Sequence, residues 1–221
     1  RGNATDSAFS AAHKDFPVSK EIVLATRNQG KITELAELLK GTGLAVLGLD
    51  AFPGAPEVEE TGETFEDNAL LKARAIAAFM GKTAVADDSG LVVDALSGAP
   101  GVRSARYAGE DATDAANNAK LLRELAGVPP EKRSARFVCV MAAVSPNGDE
   151  VVVRGEWEGR VADQARGEGG FGYDPLFVDP VDGRHAAELP RDEKNQRSHR
   201  GAAMRALLRC WPDFWKSAKQ D

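Results

Sequence analysis

The segment at residues 26–31, Thr-Arg-Asn-Gln-Gly-Lys, has side chains suited to binding phosphate. A short apolar run precedes it and leucines at helical spacing follow it, so we expect it to join a strand to a helix. The free N–H groups of a helix N-terminus bind anions, Gly30 lets backbone approach closely, and Lys31 adds a positive charge. Thr26 and Asn28 can donate hydrogen bonds. The spacing is not that of a P-loop, and the alternative is a plain strand–helix turn with a solvated lysine.

Two adjacent acids, Asp87 and Asp88, follow a short strand that we predict at residues 83–86. In open α/β sheets, ligands bind where strands end at their carboxyl side, and neighbouring side chains of an extended strand face opposite ways. One of the two acids should therefore line a cleft, where it could bind Mg²⁺ or deprotonate a water molecule. Glu59 and Glu60 lie upstream and could supply a second metal ligand. The alternative is a turn held by local Asp and Ser hydrogen bonds.

A glycine-rich loop at residues 169–174 surrounds Phe171 and Tyr173 with three glycines and ends on Asp174. Bare backbone beside aromatic rings is suited to stacking on a nucleobase. The alternative is a flexible connection whose Phe171 is packed in the core.

Cationic donors come together near the start of the last predicted helix. Lys194 follows Glu193, and His199 and Arg200 follow Ser198. Composition alone favours a solvated helix start for this segment. Four such segments in one chain, however, carry more information than any one of them.

The elements that must position these residues alternate between strand and helix in the first half of the chain and include a hairpin later. We predict strands at residues 21–25, 44–49, 83–86, 136–144 and 150–158, and helices at residues 32–41, 64–80, 114–125 and 198–215. This order predicts an α/β fold with a mixed β-sheet and flanking helices.

Composition limits the function further. The 221 residues are 43% hydrophobic and 28% charged, as in an ordinary globular protein, and the net charge of −6 argues against nonspecific nucleic-acid binding. No apolar stretch approaches the ~20 residues of a membrane-spanning helix. Cys139 and Cys210 have neither disulfide-framework nor metal-site spacing, so we expect a reduced, cytoplasmic setting.

The first residues carry no clear pattern. Residues 1–20 do not begin with methionine and have no apolar signal core, so we interpret them as an expression remnant or a disordered leader. Residues 21–221 are then expected to form a single, two-lobed domain.

Together, the motifs resemble those of the inosine triphosphate pyrophosphatase family, in the family's order and near its spacing. The segments that carry this resemblance are TRNQGK (26–31), EETGETFEDNALLKA (59–73), ADDSG (86–90), GAPGVRSARYAG (98–109), GGFGYDP (169–175) and EKNQRSHRG (193–201). The similarity extends from Ile22 to the last helix. It implies a homodimer, each chain an elongated mixed sheet with a nucleotide cleft between two lobes.

The resemblance also implies a role for each matching residue. It places the triphosphate near Thr26, Arg27, Asn28, Gln29, Gly30, Lys31, Lys72 and Ser89. It places the base near Phe171, Gly172, Tyr173, Asp174, Lys194, His199 and Arg200. It assigns Mg²⁺ to Glu59 and Asp88, with Asp88 also accepting the proton of the attacking water. Arg27 departs from the small residue of many members and adds charge beside the phosphates.

The implied reaction is hydrolysis of ITP, dITP or XTP to the monophosphate and pyrophosphate, which removes deaminated nucleotides from the pool. A donor aimed at the 6-oxo group would select these bases over adenine, which presents an amino group there. Two alternatives remain open from the sequence. One is a triphosphatase for modified pyrimidine nucleotides on a related fold, and the other is a nucleotide-binding module without catalysis.

Overall fold

A six-stranded mixed β-sheet organises the chain, and the computed structural model describes residues 20–218 of it. The strands are β1 (Lys20–Leu24), β2 (Leu44–Gly48), β3 (Ala84–Val93), β4 (Ser134–Val144), β5 (Glu150–Val161) and β6 (Phe177–Val178). The leader predicted at residues 1–20 lies outside the described residues, except for Lys20, whose backbone begins β1.

The strand order is β2-β1-β3-β4-β5-β6. β1 pairs in parallel with β2 and β3, whereas β3 to β6 pair antiparallel in sequence order. The predicted α/β fold with a mixed sheet is thus confirmed. In the long β3–β4 pairing, Asp88 lies opposite Val140 and Ser89 opposite Cys139, so the polar part of β3 is held against an apolar strand.

Five α-helices lie within the described residues. They are α1 (Gln29–Leu38), α2 (Phe65–Met80), α3 (Asp114–Glu124), α4 (Arg191–Arg197) and α5 (His199–Ser217). The predicted start of α2 is borne out in detail, since Thr64 and Asp67 form a reciprocal capping box. The helix ends at Gly81, which adopts a left-handed conformation with φ of 59°.

Three apolar clusters stabilise the sheet. On one face, α2 packs through small side chains such as Ala69 and Ala73, which allow close approach to the strands. On the other face, α1 and α5 pack against β1, β3 and β4 around Leu35 and Trp211. The third cluster lies around Leu91, the first half of β4 and the second half of β5, with α3 and the segment around Phe177.

The expected end of β3 at residue 86 is wrong. The strand continues to Val93, and every residue from Ala84 to Val93 is paired with β4. Polar side chains at positions 87–89 suggested a turn, but backbone pairing with a buried apolar neighbour outweighs that local preference. Asp87 and Asp88 therefore lie inside a strand and not after one. The short strand β6 and helix α4 were not predicted either.

Candidate active site

A cavity of about 320 Å³ has apolar lining from the first cluster, through Ala25 and Ile76, and from the third, through Phe137 and Tyr173. Its walls come from the loop after β1, from α2, from the middle of β3, from the glycine-rich loop and from the start of α5. The predicted site residues among its lining are Thr26, Arg27, Asn28, Lys31, Lys72, Asp88, Ser89, Phe171, Gly172, Tyr173, Asp174, Lys194, His199 and Arg200. Gln29, Gly30 and Glu59 are not in the lining.

The loop after β1 is held as a helix N-terminus. Asn28 is the N-cap of α1, and its Oδ1 accepts the backbone N–H of Lys31 at 3.1 Å. Thr26 Oγ1 accepts the N–H of Asn28 at 3.2 Å, and Arg27 donates to the carbonyl of Ala55 at 2.9 Å. Gln29 points away and donates to Asp50 at 3.2 Å. The loop thus presents two cationic side chains, those of Arg27 and Lys31, to the cavity.

Asp88 is a buried acid on the cavity wall. Asn68 of α2 donates to its Oδ2 at 3.1 Å, and the backbone N–H of Ser89 donates to Oδ1 at 2.9 Å. Burial raises the pKa of Asp88 above its usual value, although Lys72 and Lys31 oppose the shift. The carboxylate is therefore oriented by two donors and lies within reach of two cations.

Lys72 bridges acids on two segments. Its Nζ contacts Glu60, donates to the carbonyl of Asp87 at 2.8 Å, and lies 3.9 Å from Asp88 Oδ1. Burial would lower the pKa of Lys72, but Asp87, Asp88 and Glu60 outweigh it and raise the pKa. The ammonium group is therefore charged and fixed beside Asp88.

The upstream acid that faces the cavity is Glu60, while Glu59 is exposed. Glu60 is also held by Arg106, which donates to its carbonyl at 3.1 Å and approaches its carboxylate at 3.6 Å. Glu60 lines the cavity and Glu59 does not, so only one acid of this pair faces inward. The assignment of Glu59 as a metal ligand remains a prediction, and the geometry makes Glu60 the stronger candidate.

Asp87 faces the opposite side of the sheet from Asp88, and two cationic side chains lie close to its carboxylate. Lys31 Nζ lies 3.0 Å from its Oδ2, Arg200 Nε lies 3.5 Å away, and Ser89 Oγ donates at 2.8 Å. Burial would raise the pKa of Asp87, but Lys31, Arg200 and Lys72 lower it far below its usual value. Asp87 thus stays ionised and connects the start of α1 with the start of α5.

A second buried charge cluster holds the other end of the cavity. Lys194 donates to Asp174 and to Glu34 at 2.7 Å each, and Arg200 also contacts Glu34. Burial would raise the pKa of Glu34, but Arg200 and Lys194 outweigh it and lower the pKa. Two acids and two cations in one buried group fix α1, α4, α5 and the glycine-rich loop relative to one another.

The two aromatic residues of the glycine-rich loop, Phe171 and Tyr173, differ in their burial and contacts. Phe171 is half-buried on the cavity wall, with Lys194 Nζ 5.2 Å and Arg200 Cζ 5.5 Å from its ring centre. Its ring covers Gly30, where an added Cβ would lie 2.7 Å from a ring carbon. Tyr173 is buried in the third cluster, and its hydroxyl donates to the carbonyl of Ser104 at 2.8 Å. Phe171 is thus the less buried of the two rings on the cavity wall.

His199 completes this end of the cavity. Its ring stacks on Phe137 at 4.8 Å with 14° between the planes. Burial, with Arg200 and Lys194 nearby, lowers its pKa well below the usual value, so the ring is neutral. Its buried Nδ1 has no hydrogen-bond partner among the described residues, so this end of the cavity offers a neutral polar ring.

Sequence reasoning missed the residues that position this site. Glu34 lies among the leucines of α1, where an acid usually faces water, and it becomes buried only because α4 and α5 bring two cations to it. Asn68 could have been found, since it lies four residues before Lys72 and thus on the same face of α2. Asp114 and Asn118 of α3 contact Gly172, and no signal in the sequence connects them to that loop.

The mixed sheet and its cleft define an α/β protein whose polar site combines a cationic loop, buried acids and a glycine-rich aromatic loop. A dITP/XTP pyrophosphatase of Nitratidesulfovibrio vulgaris (strain Hildenborough) is 62% identical over 88% of this chain and 97% of its own length. A dITP/XTP pyrophosphatase of Streptococcus pyogenes (serotype M18) is 52% identical over 99% of this chain, which spans 66% of that longer protein. The solved structure of a HAM1 protein from Coxiella burnetii matches with a TM-score of 0.80 and 45% identity, over 88% of this chain and 100% of that one.

The model of the Ham1 family matches residues 22–210, most of the chain. The chain therefore belongs to the Ham1 family. The family resemblance drawn from the motifs is confirmed, and the matched range agrees with the segment over which they were found.

Proposed function

We propose that this protein hydrolyses the deaminated purine nucleoside triphosphates ITP, dITP and XTP to the monophosphate and pyrophosphate. One observation carries the proposal: a single cavity brings the cationic loop at residues 26–31, the acid Asp88 and the glycine-rich loop together. The loop at residues 26–31 is suited to the phosphates, Asp88 to the reacting water and the glycine-rich loop to the base. The curated relatives at 62% and 52% identity are named for dITP and XTP, which supports the same substrate class here.

Asp88 accepts the proton of the water that attacks the α-phosphorus. Its two hydrogen-bond donors fix the carboxylate, and its raised pKa makes it a better base than a solvated aspartate. Lys31 and the N–H groups of the α1 N-terminus stabilise the charge that develops on the phosphates. Lys72 and Ser89 line the wall beside Asp88 and contact the same phosphates.

Mg²⁺ is the proposed cofactor, and Asp88 with Glu60 or Glu59 would hold it. The described residues contain no cluster of three or more metal-binding side chains, but Mg²⁺ usually takes only one or two carboxylates together with substrate phosphates. Asp88 and Glu60 fit this donor set, because they already share one cation, Lys72. Bound there, the metal would neutralise charge on the phosphates and the leaving pyrophosphate.

Base selection belongs to the opposite wall. Phe171 stacks on the purine, and Arg200, Lys194 and the neutral His199 supply polar groups at its edge. A 6-oxo group accepts hydrogen bonds from such donors, whereas the 6-amino group of adenine does not.

The test is pyrophosphate release from a panel of triphosphates with Mg²⁺ and with EDTA. We expect release from ITP, dITP and XTP far above that from ATP, and none with EDTA. Preference for modified pyrimidine nucleotides would favour the triphosphatase alternative. Binding without release of pyrophosphate would favour a non-catalytic module.

We also propose that the protein acts as a homodimer in the cytoplasm, on free nucleotides and not on nucleic acid. Support comes from the family resemblance, the net charge of −6 and two cysteines that are both unpaired. Among the described residues, no helix is both long and apolar enough to span a membrane. Light scattering at several protein concentrations tests the dimer.

A further inference from the structure

Helix α3 binds both backbone polar groups of Gly172 in the glycine-rich loop. Asp114 Oδ2 accepts the backbone N–H of Gly172 at 2.7 Å, and Asn118 Nδ2 donates to the carbonyl of Gly172 at 2.9 Å. Residues four apart lie on one face of a helix, so a single helix face satisfies both polar groups of this glycine. We call Asp114 and Asn118 the α3 clamp.

The helix that carries the clamp is firmly anchored. Thr113 caps its N-terminus, and Leu121 is fully buried in the third cluster. Between them, the buried Asn117 accepts the N–H of Ala108 at 2.8 Å and donates to the carbonyl of Ala105 at 3.0 Å. Because Asn117 and Leu121 fix α3 to residues 105–108 and to the third cluster, the helix is a rigid support for the clamp.

The segment that it holds needs such support. Gly170 and Gly172 have φ of 73° and 62°, a left-handed conformation that side chains other than glycine rarely adopt. Glycines lose more conformational freedom on ordering than other residues, so external contacts must hold this loop in one conformation. Lys194 holds the loop through Asp174 on its far side, and the α3 clamp holds it at Gly172. Phe171 directly precedes Gly172, and its own backbone N–H donates to Asp174 Oδ2 at 2.8 Å, so both attachments act on its backbone.

We infer that Asp114 and Asn118 are positioning residues for base recognition. They fix the peptides on either side of Gly172 and thereby the direction of the Phe171 ring, while the wall that binds the phosphates is held by other contacts. This inference rests on the proposed function, because it assigns the base to Phe171. Loss of the clamp should therefore weaken binding of the purine and leave binding of the phosphate chain intact.

Two isosteric substitutions separate the hydrogen bonds from the charges. Asp114→Asn keeps an oxygen that can accept the N–H of Gly172, so we expect values close to wild type. Asn118→Asp replaces the donor with an acceptor that faces the carbonyl of Gly172, so we expect it to raise the KM for ITP about tenfold with a smaller change in kcat. Asp114→Ala removes the other bond and should act in the same direction. Ala119→Asp, on the exposed side of α3, adds the same charge as Asn118→Asp without touching the loop.

The measurements are kcat and KM for ITP, and calorimetric affinities for IMP and for inorganic tripolyphosphate. We expect the affinity of Asn118→Asp and Asp114→Ala for IMP to fall about tenfold and their affinity for tripolyphosphate to stay within about twofold. Asp114 is exposed, so Asp114→Ala tests the inference even if Asn118→Asp does not fold.

Three outcomes would overturn the clamp. The first is that the clamp variants lose equal affinity for IMP and for tripolyphosphate. The second is that both clamp variants have the same affinities and KM as Ala119→Asp. The third is that the wild-type protein does not bind IMP. The proposed function has its own readout in the same series, because it fails if the wild type releases no pyrophosphate from ITP. Wild-type release together with unchanged clamp variants would leave the function standing and remove only the clamp.

Discussion

Lys31 and Asp87 form a buried ion pair that attaches the loop after β1 to the middle of β3, with Nζ 3.0 Å from Oδ2. The lysine side chain is 15% exposed and the aspartate side chain 1%. Asp87 also lies beside Arg200, so this one acid connects the wall proposed for phosphate with the wall proposed for the base.

Replacing Lys31 by methionine, which keeps length and removes charge, should lower kcat/KM for ITP, dITP and XTP by the same factor. A phosphate contact carries no information about the base, and loss of one stabilising donor costs about 10²-fold or more. Lys82→Met is the matched control, because Lys82 pairs with Glu21 on the surface. Losses that differ strongly between bases would remove Lys31 from the phosphate wall.

Asp88→Asn should remove most turnover while the protein stays folded. The amide keeps an oxygen for the donor Asn68 but cannot accept a proton, and loss of a general base costs about 10²- to 10⁴-fold. Initial rates of pyrophosphate release, with melting temperatures as a check of folding, measure this. Asp94→Asn, an exposed acid just beyond β3, should be close to wild type. Near-normal rates in folded Asp88→Asn would exclude Asp88 from the chemistry.

Glu34→Gln should destabilise the fold by about 3–5 kcal/mol, because it leaves Lys194 and Arg200 buried with less compensating charge. Urea unfolding curves give the difference in free energy of unfolding. Glu37→Gln, on the same helix and paired with Lys40 at the surface, should change stability by less than about 1 kcal/mol. Similar changes in the free energy of unfolding for the two variants would show that the buried charge cluster stabilises the fold no more than a surface ion pair does.

Arg200→Lys should lower kcat/KM for ITP by about 5- to 150-fold, with a much smaller change for ATP. Lysine keeps the charge between Glu34 and Asp87 but lacks the planar set of N–H donors. Steady-state kinetics on both substrates measure the ratio. If that ratio is preserved in the folded variant, base selection must depend on the loop around Phe171.

The free energy of unfolding should decrease as the pH is lowered, and part of this decrease should depend on His199. Its pKa is lowered in the folded protein, so the unfolded chain takes up a proton at this residue as the pH falls below about 6.5 while the folded chain does not. The contribution is therefore complete above about pH 7 and is lost below it, by up to about 1.4 kcal/mol per pH unit. Urea unfolding from about pH 7 to about pH 5 should show a shallower loss for His199→Gln. Parallel curves for the two proteins would exclude this linkage.

Local patterns were reliable guides to the elements. The helix predicted from residue 64, the strand at residues 136–144 and its hairpin partner from residue 150 each depend on residues near in sequence, and each element formed. The end of β3 was misplaced because its extension depends on pairing with β4, about fifty residues later. Helix α4 is short and charged, and its periodicity was too brief to stand out.

The motifs alone identified the family, and most of the site residues that they predicted line the cavity, because the motifs preserve the residue types that phosphate, base and water require. Only the tertiary structure decided which side chain of each adjacent pair faces the cavity: Asp88 and not Asp87, and Glu60 and not Glu59. It alone revealed Glu34 beneath two cations and the α3 clamp on Gly172. These contacts join residues that lie 54 to 166 positions apart. The residue that stabilises a buried charge or a buried backbone group comes from a distant part of the chain. The spacing of neighbouring residues therefore does not predict it.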